Sequence, residues 1–131
     1  MKIESKHIDG YGHVNNAVYL QLFEEARWDW IQKGGGNREL VAELGVGPIV
    51  VDIEIRFSRE LKENEEITIR SGNEGAMGKV YWLRQTIFKA NGDIACKAKY
   101  RMAFLDIKKR VITEPHPRWV EVLTKSLKGN G

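Results

Sequence analysis

The chain has 131 residues, 42% hydrophobic and 30% charged, which fits one globular domain spanning 1–131 and excludes a disordered or fibrous chain. Its 21 Lys and Arg against 18 Asp and Glu leave a formal net charge of +3, which suits a phosphate-bearing ligand but not a nucleic-acid binder with a dedicated basic face. The one cysteine, Cys96, excludes an intrachain disulfide, and the absence of any run of roughly 18 apolar residues argues against a membrane span.

Met1-Lys2-Ile3-Glu4-Ser5-Lys6 has no apolar signal core, so a cytoplasmic location is expected, with a short strand at the N-terminus. A glycine-punctuated turn follows at Asp9-Gly10-Tyr11-Gly12. From Val14 to about Lys33 the apolar spacing is helical: Tyr19, Phe23, Ala26 and Trp30 form one stripe, widened by Leu20, Leu22 and Ile31, with Glu25 and Asp29 opposite. Asn15 and Asn16 are plausible N-caps, and Gly34-Gly35-Gly36 ends the helix. A shorter helix is expected from Asn37 to Leu44.

From Gly47 to Asp106 the period drops to two. Val51, Ile53, Ile55 and Phe57 alternate with Asp52, Glu54, Arg56 and Ser58, then come Ile67 and Ile69. Lys79 to Lys89 is apolar on both faces, and Cys96, Ala98, Tyr100, Met102 and Phe104 alternate with Lys97, Lys99 and Arg101. Asn91-Gly92 marks a tight hairpin, and Glu74 to Gly78 reads as another reversal. The pattern predicts four strands in an antiparallel meander. Pro115 to Lys128 returns to helical spacing through Trp119, Val122, Leu123 and Leu127, predicting a helix packed on an edge, with Gly129-Asn130-Gly131 frayed. One long, largely buried helix and one meander make an α+β fold, a curved antiparallel sheet wrapped around the helix. Its uncovered edge predicts pairing with a second copy.

The chemistry concentrates in residues 9 to 19. A carboxylate (Asp9), an imidazole (His13), phenols (Tyr11, Tyr19) and carboxamides (Asn15, Asn16) stand at the start of the main helix. Glycines allow close approach of a ligand, and a helix start offers unpaired N–H groups. A carboxylate beside oriented amides is the minimum for hydrolysing an activated acyl group. The same residues also have plain structural readings: Asp9 as the start of an Asp-Gly turn, the asparagines as caps, Tyr19 as core. Glu24 and Glu25 are expected to be solvated or paired with Arg27, Cys96 to be a small packed residue, and His7 and His116 to serve no metal.

Asp-x-x-Gly-His-Val-Asn-Asn-x-x-Tyr, followed by Phe23-Glu24-Glu25-Ala26-Arg27, resembles the signature of hot-dog-fold acyl-CoA thioesterases of the 4-hydroxybenzoyl-CoA thioesterase-like superfamily. Plant acyl-ACP thioesterases share the His-Val-Asn-Asn run. The resemblance implies the hot-dog fold, a homodimer or dimer of dimers with active sites between subunits, and an acyl-CoA or acyl-ACP substrate. Coenzyme A enters only as part of that substrate, with no separate cofactor and no nucleic-acid or membrane partner. It further implies that Asp9 is the catalytic carboxylate and the backbone N–H of Asn16 the oxyanion donor, with His13 catalytic in the plant branch and Tyr11, Asn15 and Tyr19 as candidate substrate contacts. That branch carries an asparagine where this chain has Tyr11, which favours the bacterial mechanism centred on the aspartate. Arg59-Glu60 stands where the family usually has Arg-Pro.

Two other functions compete. A hydratase of this fold uses Asp-x-Asn-Pro-x-His, whereas Asp9 and His13 are four apart without the Asn or the Pro. A non-catalytic acyl-ligand-binding module would hold acyl-CoA without turning it over.

Overall fold

The computed structural model describes the backbone of residues 1–129 and the side chains of residues 1–126. Its elements in chain order are helix α1 (Asn16–Lys33), helix α2 (Arg38–Leu44), strands β1 (Val46–Phe57), β2 (Ile67–Met77), β3 (Val80–Lys89), β4 (Ile94–Asp106) and β5 (Val111–Thr113), and helix α3 (Pro117–Gly129). The strands make one antiparallel sheet in the order β1-β4-β3-β2, with β5 paired to β4.

That order corrects the meander. β2, β3 and β4 follow one another through tight turns, but β1 pairs with β4, from Val46 opposite Asp106 to Phe57 opposite Cys96. The alternating pattern specifies the faces of a strand, not its neighbour, so β1 was legible and its position was not. The Asn91-Gly92 hairpin forms between β3 and β4, with Gly92 at φ +92°. The other reversal lies later than the glycine pattern suggests: β2 continues through Glu74 to Met77 with a bulge between Asn73 and Gly75, and the chain turns at Gly78-Lys79. The expected N-terminal strand reduces to a single bridge, Lys2 to Glu66, followed by a 3₁₀ turn at Ser5–His7.

The inner face of the sheet receives α1. Tyr19, Leu22, Phe23, Trp30 and Ile31 are buried there with Tyr81, Leu83 and Ile87 of β3 and Cys96, Ala98, Tyr100 and Met102 of β4. Phe23 meets Tyr100 edge-on, with ring centroids 6.3 Å apart. Each large apolar side chain so buried contributes roughly 1.5–3 kcal/mol. The helix is nevertheless half-exposed rather than largely buried, because the sheet covers only the Tyr19–Phe23–Trp30 side and leaves Leu20, Glu24, Glu25 and Asp29 in water.

α3 packs chiefly on the end of α1, with Trp119 fully buried and its Nε1 donating to the Val46 carbonyl at 2.7 Å. Gly34 and Gly36 permit this close approach. A Cβ on Gly34 would overlap the Val122 carbonyl and the Ser126 hydroxyl, and one on Gly36 would sit 2.7 Å from side-chain carbons of Ile31 and Val122. The side chain of Leu127 and the residues after Gly129, part of the frayed end expected from sequence, lie outside the described residues. Gly34→Ala is expected to cost about 2 kcal/mol or more, read as a lowered midpoint in thermal or urea unfolding.

Candidate active site

The loop before α1 is built as a small hairpin. Ile8 and Val14 form an antiparallel bridge, the Asp9 N–H donates to the His13 carbonyl at 3.0 Å, and the Gly12 N–H donates to the Asp9 carbonyl at 3.2 Å. Gly12 takes φ +82°, which closes the turn without a side-chain clash. Val14 is fully buried and its N–H donates to the Leu61 carbonyl at 2.9 Å, while the Asn15 N–H donates to the His7 carbonyl at 3.2 Å. His7, itself buried, accepts the Glu4 N–H through Nδ1 at 2.9 Å and secures the segment from the other side. The loop is thus pinned by its backbone.

Asp9 has a side chain 17% exposed, and its Oδ1 accepts the Tyr11 N–H at 2.8 Å. That bond is the Asp-Gly turn anticipated from sequence, and it leaves Oδ2 available. His13 lies beside it, Nδ1 3.9 Å from Asp9 Oδ2 and 3.1 Å from the Val14 carbonyl. The Tyr11 ring stacks on the imidazole with centroids 5.9 Å apart and is otherwise 88% exposed.

Asn15 is the N-cap of α1, its side-chain oxygen accepting the Ala17 N–H at 2.9 Å. Its carbonyl accepts the Val18 N–H at 3.0 Å. Asn16 is the first helical residue, and among the described residues its N–H has no hydrogen-bond partner. The start of α1 therefore presents an unpaired amide at the positive end of the helix dipole, and the Asp9 loop leads directly into it. Tyr19 stands apart from this group. It is 3% exposed and meets Phe57 edge-on at 5.0 Å, so its hydroxyl is not offered at the loop surface. Burial, assisted by the nearby Cys96, pushes the Tyr19 phenol up to about 12.

Glu24 and Glu25 are both exposed, the solvated alternative of the sequence reading. Arg27 pairs with neither Glu24 nor Glu25; it is buried, donating to Gln85 Oε1 at 3.0 Å, with its guanidinium over the Tyr100 ring at 4.5 Å. Gln85, fully buried, donates in turn to the Phe23 carbonyl and to Ser71 Oγ, each at 2.9 Å. The signal was present, since Arg27 continues the Tyr19–Phe23 stripe by one turn. Glu24 instead lies 3.8 Å from Arg38. Among the described residues no three His, Cys, Asp or Glu side chains come together as a metal site, and no helix is long and apolar enough to cross a membrane.

A cleft of about 220 Å³ beside α1 is lined by Trp28, Trp30, Tyr81, Leu83 and Met102. Neither it nor the cleft of about 300 Å³ between α1 and β2 includes a residue from the Asp9 loop. Next to them, β1 is a twelve-residue edge strand bonded on one side only. Its Ile53 and Phe57 share the inner face with α1 but are 37% and 45% exposed, although the Phe57 ring meets Tyr19.

Cys96 is fully buried, and burial pushes its thiol up to about 12. Both Cys96 and Tyr19 keep their protons in the folded state at pH values where an unfolded chain loses them. The unfolded state then binds fewer protons, so stability falls as pH rises above about 9 toward 12. Denaturant midpoints are expected to decline over that range, with a shallower decline in Cys96→Ala, and native Cys96 is expected to resist thiol reagents near neutral pH.

Comparison with known proteins places this geometry in context. The family profile described as the thioesterase-like superfamily matches residues 4–124. The chain is 32% identical over 109 residues, 82% of each chain, to the long-chain acyl-CoA thioesterase FadM of Escherichia coli (strain K12). Its structure superposes on that of YbaW, a probable thioesterase from Escherichia coli, with a TM-score of 0.84 and 28% identity over 97% of this chain and 96% of that one. SAV2348 from Staphylococcus aureus, solved in complex with CoA, shares the fold with a TM-score of 0.89 and 16% identity over 100% of this chain and 83% of that one.

Proposed function

The chain belongs to the thioesterase-like superfamily and is a thioester hydrolase of the acyl-CoA class with the hot-dog fold; from that premise we propose that Asp9 and the N–H of Asn16 carry the reaction. The observation that supports this reading is the local architecture: the Asp9 carboxylate, its Oδ1 accepting the Tyr11 N–H and its Oδ2 3.9 Å from His13, belongs to the hairpin that runs straight into α1, whose first N–H, that of Asn16, has no partner among the described residues. The thioester carbonyl oxygen accepts the Asn16 N–H, which stabilises the negative charge developing on that oxygen. Asp9 either takes a proton from an attacking water or attacks the carbonyl carbon itself. In the first case water adds to the carbonyl carbon, the C–S bond breaks and the acid is released directly. In the second the C–S bond breaks to leave an acyl–Asp9 anhydride, which water then hydrolyses to the acid and free Asp9. In both the thiolate of coenzyme A takes up a proton. His13, 3.9 Å from Asp9, is a neighbouring group able to carry that proton. Tyr11 and Asn15 line the approach. Coenzyme A belongs to the substrate, and the reaction calls on no separate cofactor.

The acyl group is proposed to be long-chain, as the name of the FadM relative indicates for that enzyme. On carrier, the reading favours CoA over acyl carrier protein, since the more similar relative is an acyl-CoA enzyme.

A second copy completes the site. β1 leaves a long backbone edge unpaired, and Val50, Val51, Ile53 and Phe57 beside it are 37–45% exposed, more apolar surface than an edge strand leaves in water. The open Asp9 loop lacks a wall that a neighbour placed along β1 would supply.

Asp9→Asn is expected to lose about a hundredfold or more in turnover on the best thioester while melting like the wild type. Retained turnover would remove Asp9 from the mechanism, and no turnover of any thioester by the wild type would leave the acyl-binding module. A single turnover in isotopically labelled water separates the two roles: label enters Asp9 if it is the nucleophile, and the product acid if it activates water. Ile53→Asp is expected to yield a folded monomer in analytical ultracentrifugation with little activity; full activity in a monomer would contradict the shared site.

A further inference from the structure

The outer face of the sheet carries successive cross-strand rows of charge, and they are not balanced alike. In the first, Arg101 of β4 faces Asp52 of β1 and forms an ion pair with it. In the second, Lys99 faces Glu54 and lies 4.0 Å from Glu74, which also holds Arg84 at 2.9 Å. In the third, Arg56 of β1, Lys97 of β4, Thr86 of β3 and Arg70 of β2 stand in register across the sheet. Among the described residues, no carboxylate pairs with Arg56, Lys97 or Arg70.

Like charges directly opposite on neighbouring strands are destabilising, and Arg56 and Lys97 are such a pair. Strand spacing puts the whole row within about 15 Å. Two clefts, of about 490 and 420 Å³, meet along it and share Arg84 and Lys97; Arg56 and Lys99 line the first together with Glu54 and Glu74, and Arg70, Thr86 and Phe88 line the second. Arg70 is steadied over the Phe88 ring at 5.5 Å. The row also lies one residue from the Phe57–Cys96 pair, and Phe57 touches Tyr19, so it backs the end of the sheet where α1 begins.

We propose that the Arg56–Lys97–Thr86–Arg70 row binds clustered phosphates carried on a nucleotide, namely the phosphorylated adenosine end of the coenzyme A substrate. The proposal rests on the thioesterase reading for its ligand, but the site itself does not need catalysis. Cations spread over three strands match phosphates held apart on one ligand better than a single free anion. The Thr86 hydroxyl adds a donor, and Phe88 with Arg70 forms a flat shelf against which a base can stack.

Calorimetric titration of the full chain with adenosine bisphosphate, coenzyme A and inorganic pyrophosphate tests it. The wild type is expected to bind both nucleotides more tightly than pyrophosphate, and less tightly as salt rises. Lys97→Glu, which places a carboxylate opposite Arg56, is expected to melt no lower than wild type and to weaken nucleotide binding about tenfold or more. Arg70→Gln is expected to weaken it less. Lys109→Glu, an exposed change of equal charge away from the row, is expected to leave binding unchanged.

In kinetics, Lys97→Glu is expected to raise KM for acyl-CoA about tenfold while leaving KM for an acyl-pantetheine thioester, which lacks the nucleotide, unaltered. Equal weakening by Lys97→Glu and Lys109→Glu, or pyrophosphate binding as tight as the nucleotides, would overturn the proposal. So would normal hydrolysis with no adenosine bisphosphate binding, including the case where Lys97→Glu impairs only acyl-carrier-protein thioesters. Nucleotide binding lost in Lys97→Glu, in a wild type that hydrolyses no thioester, would support the site and sink the thioesterase reading alone.

Discussion

Tyr19, Phe23 and Trp30 cannot be left in water, and the inner face of the sheet is the apolar surface large enough to take all three. Their burial sets where α1 lies, and α1 sets everything that follows. It fixes the helix start beside the Leu61 carbonyl, where Val14 is tied, and so suspends the Asp9 loop at one end of the sheet. At the other end it brings Gly34 and Gly36 against α3, an approach too close for any side chain. The position of the Asp9 loop at the open start of the helix is thus a by-product of packing along the buried face of the same helix.

The same burial forces a charge into the core. Arg27 lies on the buried stripe, so its guanidinium is removed from water without a carboxylate to meet it. Gln85 supplies an oxygen to it and spends its own amide hydrogens on the Phe23 carbonyl and Ser71, and the Tyr100 ring supplies its electron-rich face. Such a network holds helix to sheet directionally, where apolar contacts alone would let the helix slide or rotate. Its register carries through to the helix start, some 16 Å away by the rise of the helix. Nothing comparable reaches β1, and that strand keeps one open edge and apolar side chains facing outward. The chain is packed tightly on one flank and left unfinished on the other.

Local features were legible in the sequence because their causes are local. Asn15 caps α1 since its side chain reaches an amide two residues on, and Gly92 turns the hairpin since it takes positive φ. The Asp9 loop was readable for the same reason. Four things were not. The neighbour of β1 depends on which strand wins a competition for pairing, and its alternation suits either. Arg27 was expected among its helix neighbours, whereas Gln85, distant in sequence, claims it. The glycines from Glu74 to Gly78 suggested a turn, yet Gly75 sits in a bulge and the strand runs on. The run Lys97, Lys99 and Arg101 looked uniform in sequence, and only cross-strand register separates the two that are neutralised from the one that is not.

The account's central claim is that one chain supplies Asp9 and the Asn16 amide while a second copy closes the site around the acyl group. A crystal structure with a non-hydrolysable 2-oxoalkyl thioether of coenzyme A, a long-chain ketone with a methylene between carbonyl and sulfur, tests this most directly. The account predicts the analogue's carbonyl oxygen within hydrogen-bonding distance of the Asn16 N–H, the Asp9 carboxylate beside the carbonyl carbon, and side chains of a second copy against the acyl chain. An analogue seated away from the Asp9 loop, or enclosed wholly by one chain, would contradict it.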